Sequence, residues 1–315
     1  KVVDQYGASA DYAQYQMAMS YGFLEKNNFK IRELENLLTN FELSNFRDDA
    51  LFQLGNTYSA QKDTKNAHIA YKKLFQNFPK SSYTARALLR DGLLFYNDNE
   101  NTKALKNYQE IVAKYPNSSE AKEAVTNAKN VYVDLGTVDE YAIWVKGISF
   151  VNITDAELDN TTYESAENKF LANDIPKAIE GFKKYIQAFP KGLHALQANF
   201  YLAQLLVKTN LEEDAIVNYQ YVLALPQSEF SEEALNKLSQ ILLEKEQWAT
   251  AIPLLERLEQ EANLPLNIMY AQSNLMKGYY QSQEYNKAVN YAEKILLQDK
   301  IDAIVEYDAK IIIAR

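Results

Sequence analysis

The sequence of 315 residues has no cysteine, and it has only nine glycines and seven prolines. The absence of cysteine excludes disulfides, zinc–thiolate sites and thiol nucleophiles, and it is compatible with a reducing as well as an oxidising compartment. The scarcity of glycine and proline disfavours disorder and folds of many short strands. Aliphatic residues and aromatics, with 23 Tyr and 14 Phe, are plentiful, so long helices are the expected secondary structure.

Long apolar runs and an excess of basic charge are also missing. One of the longest apolar stretches, Phe200 to Val207, is interrupted by Gln204, whereas a spanning helix needs about 20 apolar residues. We therefore expect no direct membrane span in this chain. The 33 basic and 42 acidic side chains give a net charge of −9, and Lys and Arg are scattered among acidic residues. No nucleic-acid partner is expected.

Residues that could carry catalysis are scarce. The only histidines, His68 and His194, have no second His at a metal-ligand spacing, and we expect both to lie on helix surfaces. No phosphate-binding glycine loop or nucleophile motif is visible. The sequence therefore predicts no enzyme activity, no catalytic residue, no metal site and no cofactor.

An internal repeat dominates what is present. Six alanines recur at spacings of 37, 74, 37, 36 and 37 residues, and 74 is two periods of 37: Ala67, Ala104, Ala178, Ala215, Ala251 and Ala288. A fixed period of this size indicates stacked supersecondary units, none of which can bury its apolar face alone.

The second repeat shows the unit most clearly. Two apolar stripes at helical spacing predict two antiparallel helices that face each other; they consist of Leu51, Leu54, Tyr58, Ala67, Tyr71 and Leu74. Pro79 ends the second helix. The serine two residues after it, Ser81, and its equivalents Ser118 and Ser228 are predicted to cap the helices that follow.

With Gly55 in the first helix, next to Leu54, these positions resemble the tetratricopeptide repeat, and the resemblance extends over nearly the whole chain. It implies an all-α fold, a right-handed α-α superhelical solenoid of about eight helical hairpins. The period of 36 to 37 and segments such as Asn77–Ser81, Lys114–Ser118 and Ala188–Gly192 are similar to a bacterial envelope subclass. That subclass includes an outer-membrane assembly lipoprotein and long periplasmic repeat proteins, and the composition is compatible with Bacteroidota.

The register of the repeats predicts the domain organisation. Residues 1–9 end a preceding repeat, 10–150 and 163–301 form two blocks of four repeats, and 302–315 are the truncated first helix of a ninth. The fourth repeat departs most, because Tyr141 occupies its alanine position. The segment 151–162 is predicted to be an irregular connection, either a hinge or a surface loop that leaves the stacking unchanged.

The resemblance also indicates a binding face. In this family the first helix of each repeat lines the concave face, and the residue after the consensus glycine often binds a peptide backbone. Five of the eight equivalent residues here are amides, which offer both a donor and an acceptor: Asn56, Asn130, Asn168, Gln204 and Gln240. Aromatics on the same face could form apolar pockets: Phe52, Phe200, Tyr15, Tyr270 and Tyr280. A solvated polar lining is the alternative interpretation of the amides.

The function implied is a noncatalytic scaffold that binds protein or extended peptide partners on the concave face, in a bacterial envelope complex. Its expected location is the periplasm or the outer membrane, with the cytoplasm as the alternative. A structural spacer within a larger protein, or carbohydrate or peptidoglycan binding, are alternative functions. Both ends of the sequence fall within repeats, so we expect a longer protein in which a lipid anchor could lie outside this chain.

Overall fold

The computed structural model describes residues 9–298 and 301–315, which form 17 α-helices and no strand. The chain makes two compact units, residues 1–158 and 159–315, with the boundary inside the ninth helix. The predicted end of a preceding repeat at residues 1–9 lies outside the described residues, except for Ser9. None of the described helices is long and apolar enough to cross a membrane.

The first unit contains four helical hairpins. Its helices are α1 (Ala10–Phe23), α2 (Asn27–Asn40), α3 (Arg47–Ala60), α4 (Thr64–Asn77), α5 (Thr84–Asn97), α6 (Asn101–Lys114), α7 (Ser119–Leu135) and α8 (Val138–Lys146). Each odd-numbered helix packs against the even-numbered helix that follows it, and α5 also contacts the first helices α3 and α7.

The second unit continues the same pattern. Its helices are α9 (Asp155–Leu171), which begins before the boundary, α10 (Ile175–Ala188), α11 (Ala195–Lys208), α12 (Glu212–Ala224), α13 (Ser231–Glu244), α14 (Trp248–Glu261), α15 (Pro265–Gln281), α16 (Tyr285–Leu296) and α17 (Ala303–Ala314). The prediction of an all-α chain of about eight hairpins is confirmed.

The turns inside the hairpins repeat as regularly as the helices. Each contains one residue in the left-handed region, with φ between 56° and 75°: Glu25, Lys62, Asn99, Gly136, Asn173, Asn210, Glu246 and Gln283. These residues recur every 36 or 37 positions. A single left-handed residue reverses the chain after the first helix, so one backbone conformation sets the geometry of every hairpin.

Small residues set the distance between paired helices. All six alanines that define the period have no exposed surface. Gly55 faces the ring of Tyr71, and a Cβ at this glycine would lie 2.3 Å from the ring. Gly92 and Tyr108 repeat this arrangement at 2.6 Å. The helices of these hairpins therefore approach as closely as a glycine allows.

Tyrosine–carboxylate hydrogen bonds tie neighbouring hairpins together. In the first unit the Tyr58 hydroxyl donates to Glu35 Oε1 at 2.8 Å, and the Tyr96 hydroxyl donates to Asp134. In the second unit the Tyr291 hydroxyl donates to Glu259 Oε2 at 2.7 Å. Burial, together with these carboxylates, raises the pKa of Tyr58 and of Tyr96 to about 12.

Only one of the three predicted serine caps is correct. Ser118 Oγ accepts a hydrogen bond from the backbone N–H of Ala121 at 3.1 Å, as an N-cap does. Ser81 and Ser228 accept instead from the N–H two residues ahead, and their helices begin three residues later than each serine. A short hydroxyl side chain stabilises such a turn as readily as a helix start.

The predicted irregular connection is wrong for 155–162, because α9 begins at Asp155. The cause is a capping box. Thr154 Oγ1 accepts from the Glu157 N–H at 3.2 Å, and Glu157 Oε2 accepts from the Thr154 N–H at 2.7 Å. The fourth hairpin departs from the others in its second helix. In this hairpin α8 has only nine residues, and Tyr141 at the alanine position is buried against Tyr132.

Candidate functional site

Three of the five predicted amides form hydrogen bonds with other side chains of the protein. Asn56 Oδ1 accepts from the Tyr71 hydroxyl at 2.8 Å. Gln204 Nε2 donates to Glu233 Oε1 at 2.8 Å, and Gln240 Nε2 donates to Asn236 Oδ1 at 2.6 Å. These bonds use part of each amide's capacity, and only the remaining donors and acceptors are open to a partner.

The other two amides are exposed. Asn130 lies on α7 in the first unit, and Asn168 lies on α9 in the second. Both helices are the first helices of their hairpins, so each unit presents one exposed amide of the predicted row.

Three of the five predicted aromatics are packing residues, contrary to the expectation of open apolar pockets. Phe52, Phe200 and Tyr15 are only 7%, 4% and 9% exposed. Phe52 stacks on Tyr83 with 5.1 Å between ring centroids, and Phe200 lies 4.5 Å from Phe230. These contacts join one hairpin to the next, because large rings fill the space between stacked hairpins.

Tyr15 serves the same purpose, since its ring stacks on Phe46 and its hydroxyl donates to Asp49. Tyr270 and Tyr280 are half-buried on α15. The Arg315 guanidinium donates to the Tyr280 hydroxyl at 3.3 Å.

The second unit brings polar and aromatic side chains together between its first helices α9, α11 and α13. We call this surface the first-helix groove. The rings of Phe170 on α9 and Tyr201 on α11 stack with 4.8 Å between centroids, and the Gln204–Glu233 hydrogen bond joins α11 to α13. The groove holds two cavities, one at each end of α11.

The first cavity, which we call the acidic cavity, has a volume of about 500 Å³. Its lining includes Tyr163, Glu164, Glu167, Gln197, Tyr201 and Glu229. Burial, and then the carboxylates of Glu167 and Glu229, raise the pKa of Tyr201. Carboxylates from two separate segments of the chain therefore act on one phenol.

A buried network fixes one wall of the acidic cavity. Asp159 is 5% exposed; its Oδ1 accepts from the Tyr185 hydroxyl at 2.5 Å, and its Oδ2 accepts from the Leu193 N–H at 2.7 Å. The Tyr185 hydroxyl in turn accepts from the His194 N–H at 2.9 Å. The network holds the imidazole of His194 stacked on Tyr163, 4.2 Å between centroids.

The second cavity, which we call the lysine cavity, has a volume of about 420 Å³. Its lining includes Phe170, Gln204, Lys208, Tyr219, Glu233 and Lys237. Lys208 Nζ donates to Asn173 Oδ1 at 3.4 Å. Gln204 is thus the predicted amide that lies in a concave, partly apolar site, as ligand sites usually are.

In the first unit His68 is not the surface residue that the sequence suggested. Its side chain is 20% exposed, and its Nδ1 lies 2.5 Å from Oδ1 of Asp91. Asn107 Nδ2 donates to the other Asp91 oxygen at 2.8 Å. Burial raises the pKa of Asp91, while the bonds from His68 and Asn107 oppose this shift. The three residues form a buried contact between hairpins.

The described residues contain no group of three or more His, Asp or Glu side chains placed to hold a metal ion. The groove offers amides, carboxylates, lysines and aromatic rings. Such groups recognise backbone and charged side chains of a polypeptide.

A family model agrees with the repeat structure of two of the hairpins. The family model of the tetratricopeptide repeat matches residues 49–81 and 86–118. A comparison with curated protein sequences found no match.

Solved structures that resemble the chain include a tetratricopeptide repeat protein from Parabacteroides merdae, with 14% identity, 97% of this chain and 99% of that chain covered, and a TM-score of 0.38. Another is the TPR domain of P58(IPK), with 13% identity, coverage of 96% and 97%, and a TM-score of 0.33. A third is the TPR2AB domain of yeast Sti1 in its complex with pHSP90, with 11% identity, coverage of 91% and 100%, and a TM-score of 0.43.

The two matched segments coincide with the second and third hairpins, in which Gly55 and Gly92 face Tyr71 and Tyr108. The left-handed turn residue recurs in all eight hairpins of the described residues, and the buried alanine recurs in six of them. The second and third hairpins are therefore tetratricopeptide repeats, and the other hairpins repeat their helix–turn–helix architecture.

Proposed function

We propose that the chain is a noncatalytic scaffold that binds an extended peptide segment of a partner protein in the first-helix groove. Tetratricopeptide repeats generally serve protein–protein interaction and not catalysis. The observation that carries the proposal is the groove itself, in which residues of the first helices contribute to two open cavities of about 420 and 500 Å³. Cavities of this size accommodate individual side chains of a bound peptide.

The polar groups of the groove suit a polypeptide backbone. Gln204 lines the lysine cavity and uses one amide hydrogen on Glu233, and Asn168 is exposed on α9, one of the helices that border the groove. An extended peptide leaves its backbone N–H and C=O groups unpaired, and amide side chains can satisfy both. The net charge of −9 further favours protein partners over nucleic acids.

We also propose that the complex belongs to the bacterial cell envelope, in the periplasm or at the outer membrane. The support is the similarity of Asn77–Ser81 and Lys114–Ser118 to the envelope subclass. Fractionation of cells that produce the native protein tests this location. Recovery with the periplasm or outer membrane is expected, and recovery in the cytosol would contradict it.

Site-specific photo-cross-linking tests the binding face. A benzoylphenylalanine placed at Asn168, on the first helix α9, is expected to capture a discrete partner from an envelope extract. The matched control is the same residue at Glu180, which is exposed on the second helix α10. Mass spectrometry identifies the captured protein and the peptide attached.

Cross-links from position 168 that are absent at position 180 would support the groove as the binding face. They should weaken when Gln204→Ala is added and circular dichroism shows an intact fold. Equal capture from both positions, or capture only from position 180, would place binding outside the groove and refute the proposal.

A further inference from the structure

We propose that the acidic cavity binds an arginine side chain, so that the partner segment recognised in the groove is basic. This inference rests on the proposed function, because it names the chemistry of the peptide that the groove receives. The inference also goes beyond the proposed function, because neither the amides nor the lysine cavity indicates whether the partner segment is positively or negatively charged.

The charges of the cavity have one sign. Glu164, Glu167 and Glu229 are among the residues that line it, and no Lys or Arg is. Glu167 lies on α9, whereas Glu229 precedes α13, so the carboxylates come from two different hairpins. A cation placed between them would interact favourably with both carboxylates.

A second observation points to a hydrogen-bond donor as the missing group. The Oε1 atom of Gln197, a side chain that lines the same cavity, is buried and has no hydrogen-bond partner among the described residues. A buried acceptor without a donor is unfavourable. After rotation of the Gln197 amide toward the cavity, a ligand that carries N–H groups would be able to satisfy this oxygen.

The shape and lining favour arginine among cationic side chains. The rings of Tyr163, Tyr201 and Phe230 line the cavity and provide apolar surface for the methylene stem. The guanidinium has five N–H donors in a rigid fork, which matches several acceptors in different directions. The acceptors here are the carboxylates of Glu167 and Glu229, the Gln197 oxygen and the phenol of Tyr201.

The side of the cavity that carries Glu167 is ordered before binding. Glu167 Oε1 accepts from the Tyr163 hydroxyl at 3.0 Å, and Tyr163 is stacked on His194. His194 is fixed through Asn160, whose Oδ1 lies 2.7 Å from its Nε2. Side chains that are already ordered lose little conformational entropy when a ligand binds.

The test is fluorescence anisotropy with the full chain and a labelled, flexible Gly/Ser peptide that carries arginines. Matched peptides carry lysine, glutamine or glutamate in place of arginine. We expect the arginine peptide to bind more tightly than the lysine peptide, and the glutamine and glutamate peptides to bind at least about tenfold more weakly. Binding should weaken as salt shortens the Debye length.

The double variant Glu167→Gln and Glu229→Gln should weaken binding of the arginine peptide by about tenfold. Its control is Glu180→Gln with Glu293→Gln, which removes the same charge from the second helices α10 and α16 and should change binding less than about twofold. The charge-reversed variant Glu167→Lys with Glu229→Lys should lose the arginine peptide and gain the glutamate peptide. Circular dichroism verifies the fold of each variant.

Equal loss of binding in the cavity variant and in the control variant would show attraction by net charge alone and overturn the inference. Preference for the glutamine or glutamate peptide would overturn it as well. If the arginine peptide does not bind but position 168 still captures a partner in a Gln204-dependent manner, the scaffold function stands and only the arginine site fails. If neither binding nor capture is seen, both proposals fail.

Discussion

The glycine–tyrosine contact inside the second hairpin leads to a quantitative prediction for Gly55→Ala. A Cβ at position 55 would lie 2.3, 2.5 and 2.7 Å from three atoms of the Tyr71 ring. Carbon atoms in contact are normally about 3.5–4.0 Å apart, so the ring must move by about 1 Å. Tyr71 is only 1% exposed, and its hydroxyl is held by Asn56, so the ring has little room to move.

One stabilising and two destabilising contributions decide how much Gly55→Ala changes the free energy of unfolding. Alanine is favoured over glycine inside a helix by about 1 kcal/mol. Overpacking of a buried contact costs about 1–3 kcal/mol, and displacement of the ring weakens the Tyr71–Asn56 hydrogen bond, which adds about 1 kcal/mol. The expected net loss is therefore about 2 kcal/mol in the free energy of unfolding of the first unit.

Urea unfolding followed by circular dichroism measures this loss, and Gly22→Ala is the matched control. Gly22 also lies inside a helix, α1, but the atoms that a Cβ at this glycine would meet belong to the flexible end of Lys30, the first at 3.1 Å. Gly22→Ala should therefore be neutral or slightly stabilising. In a Tyr71→Leu background Gly55→Ala should lose most of its cost, because the ring that causes it is gone.

Equal stability of Gly55→Ala and Gly22→Ala would refute the reasoning. So would an unchanged cost of Gly55→Ala when Tyr71 is replaced by Leu. Either result would mean that the spacing of the two helices is not limited by this contact.

Three further predictions concern other features of the fold. Glu246 and Gly136 have positive φ in equivalent turns, so Glu246→Gly should raise, and Gly136→Ala should lower, the free energy of unfolding by about 1 kcal/mol, as measured by thermal melting. Tyr185→Phe removes the donor to Asp159 and should cost about 1–2 kcal/mol in the same assay. Burial raises the pKa of Glu259, but hydrogen bonds from neighbouring side chains outweigh this and hold it below 4.5. Stability from this group is therefore present above pH 4.5 and lost as the pH falls through the folded-state pKa, so Glu259→Gln should flatten the acid side of the melting-temperature profile, and an unchanged profile would contradict it.

The hairpins could be predicted from the sequence because their determinants are local and periodic. Ala67 and its equivalents mark the buried side of each second helix, and Gly55 marks the close approach to the ring. The left-handed turn residues also recur at this period, but Glu25, Lys62 and Glu246 have no sequence preference for positive φ. Their conformation follows from the geometry of the hairpin and not from their residue type.

The start of α9 could have been predicted as well. Thr154 and Glu157 form the Thr-x-x-Glu pattern of a capping box, which the abundance of Asn, Thr and Asp in this segment conceals. The serine caps show the opposite error, because Ser81 and Ser118 follow prolines in the same way and yet only Ser118 begins a helix. Proline and serine together indicate a turn, and tertiary contacts decide where the next helix starts.

The candidate site was only partly predictable. The row of residues after the consensus glycine identified Gln204, but it did not predict that Gln204 would donate to Glu233 in the next hairpin. Nor did it identify the acidic cavity, because it took Asn168 in the fifth hairpin and because the other members of the cavity lie at other repeat positions. In the fifth hairpin the buried Ala166 occupies the glycine position, twelve residues before Ala178 as Gly55 is before Ala67, so Glu167 and not Asn168 is the residue that follows it. The clustering of Glu167 with Glu229 requires the stacking of successive hairpins.

The central claim is that a partner peptide binds between the first helices of the second unit. Hydrogen–deuterium exchange of the chain, measured with and without the partner captured at position 168, tests this claim most directly. The account predicts slower exchange in α9, α11 and the start of α13, with smaller changes in α10 and α12, which contribute one residue each to the lysine cavity. Protection confined to the second helices, or absent from α9 and α11, would contradict it.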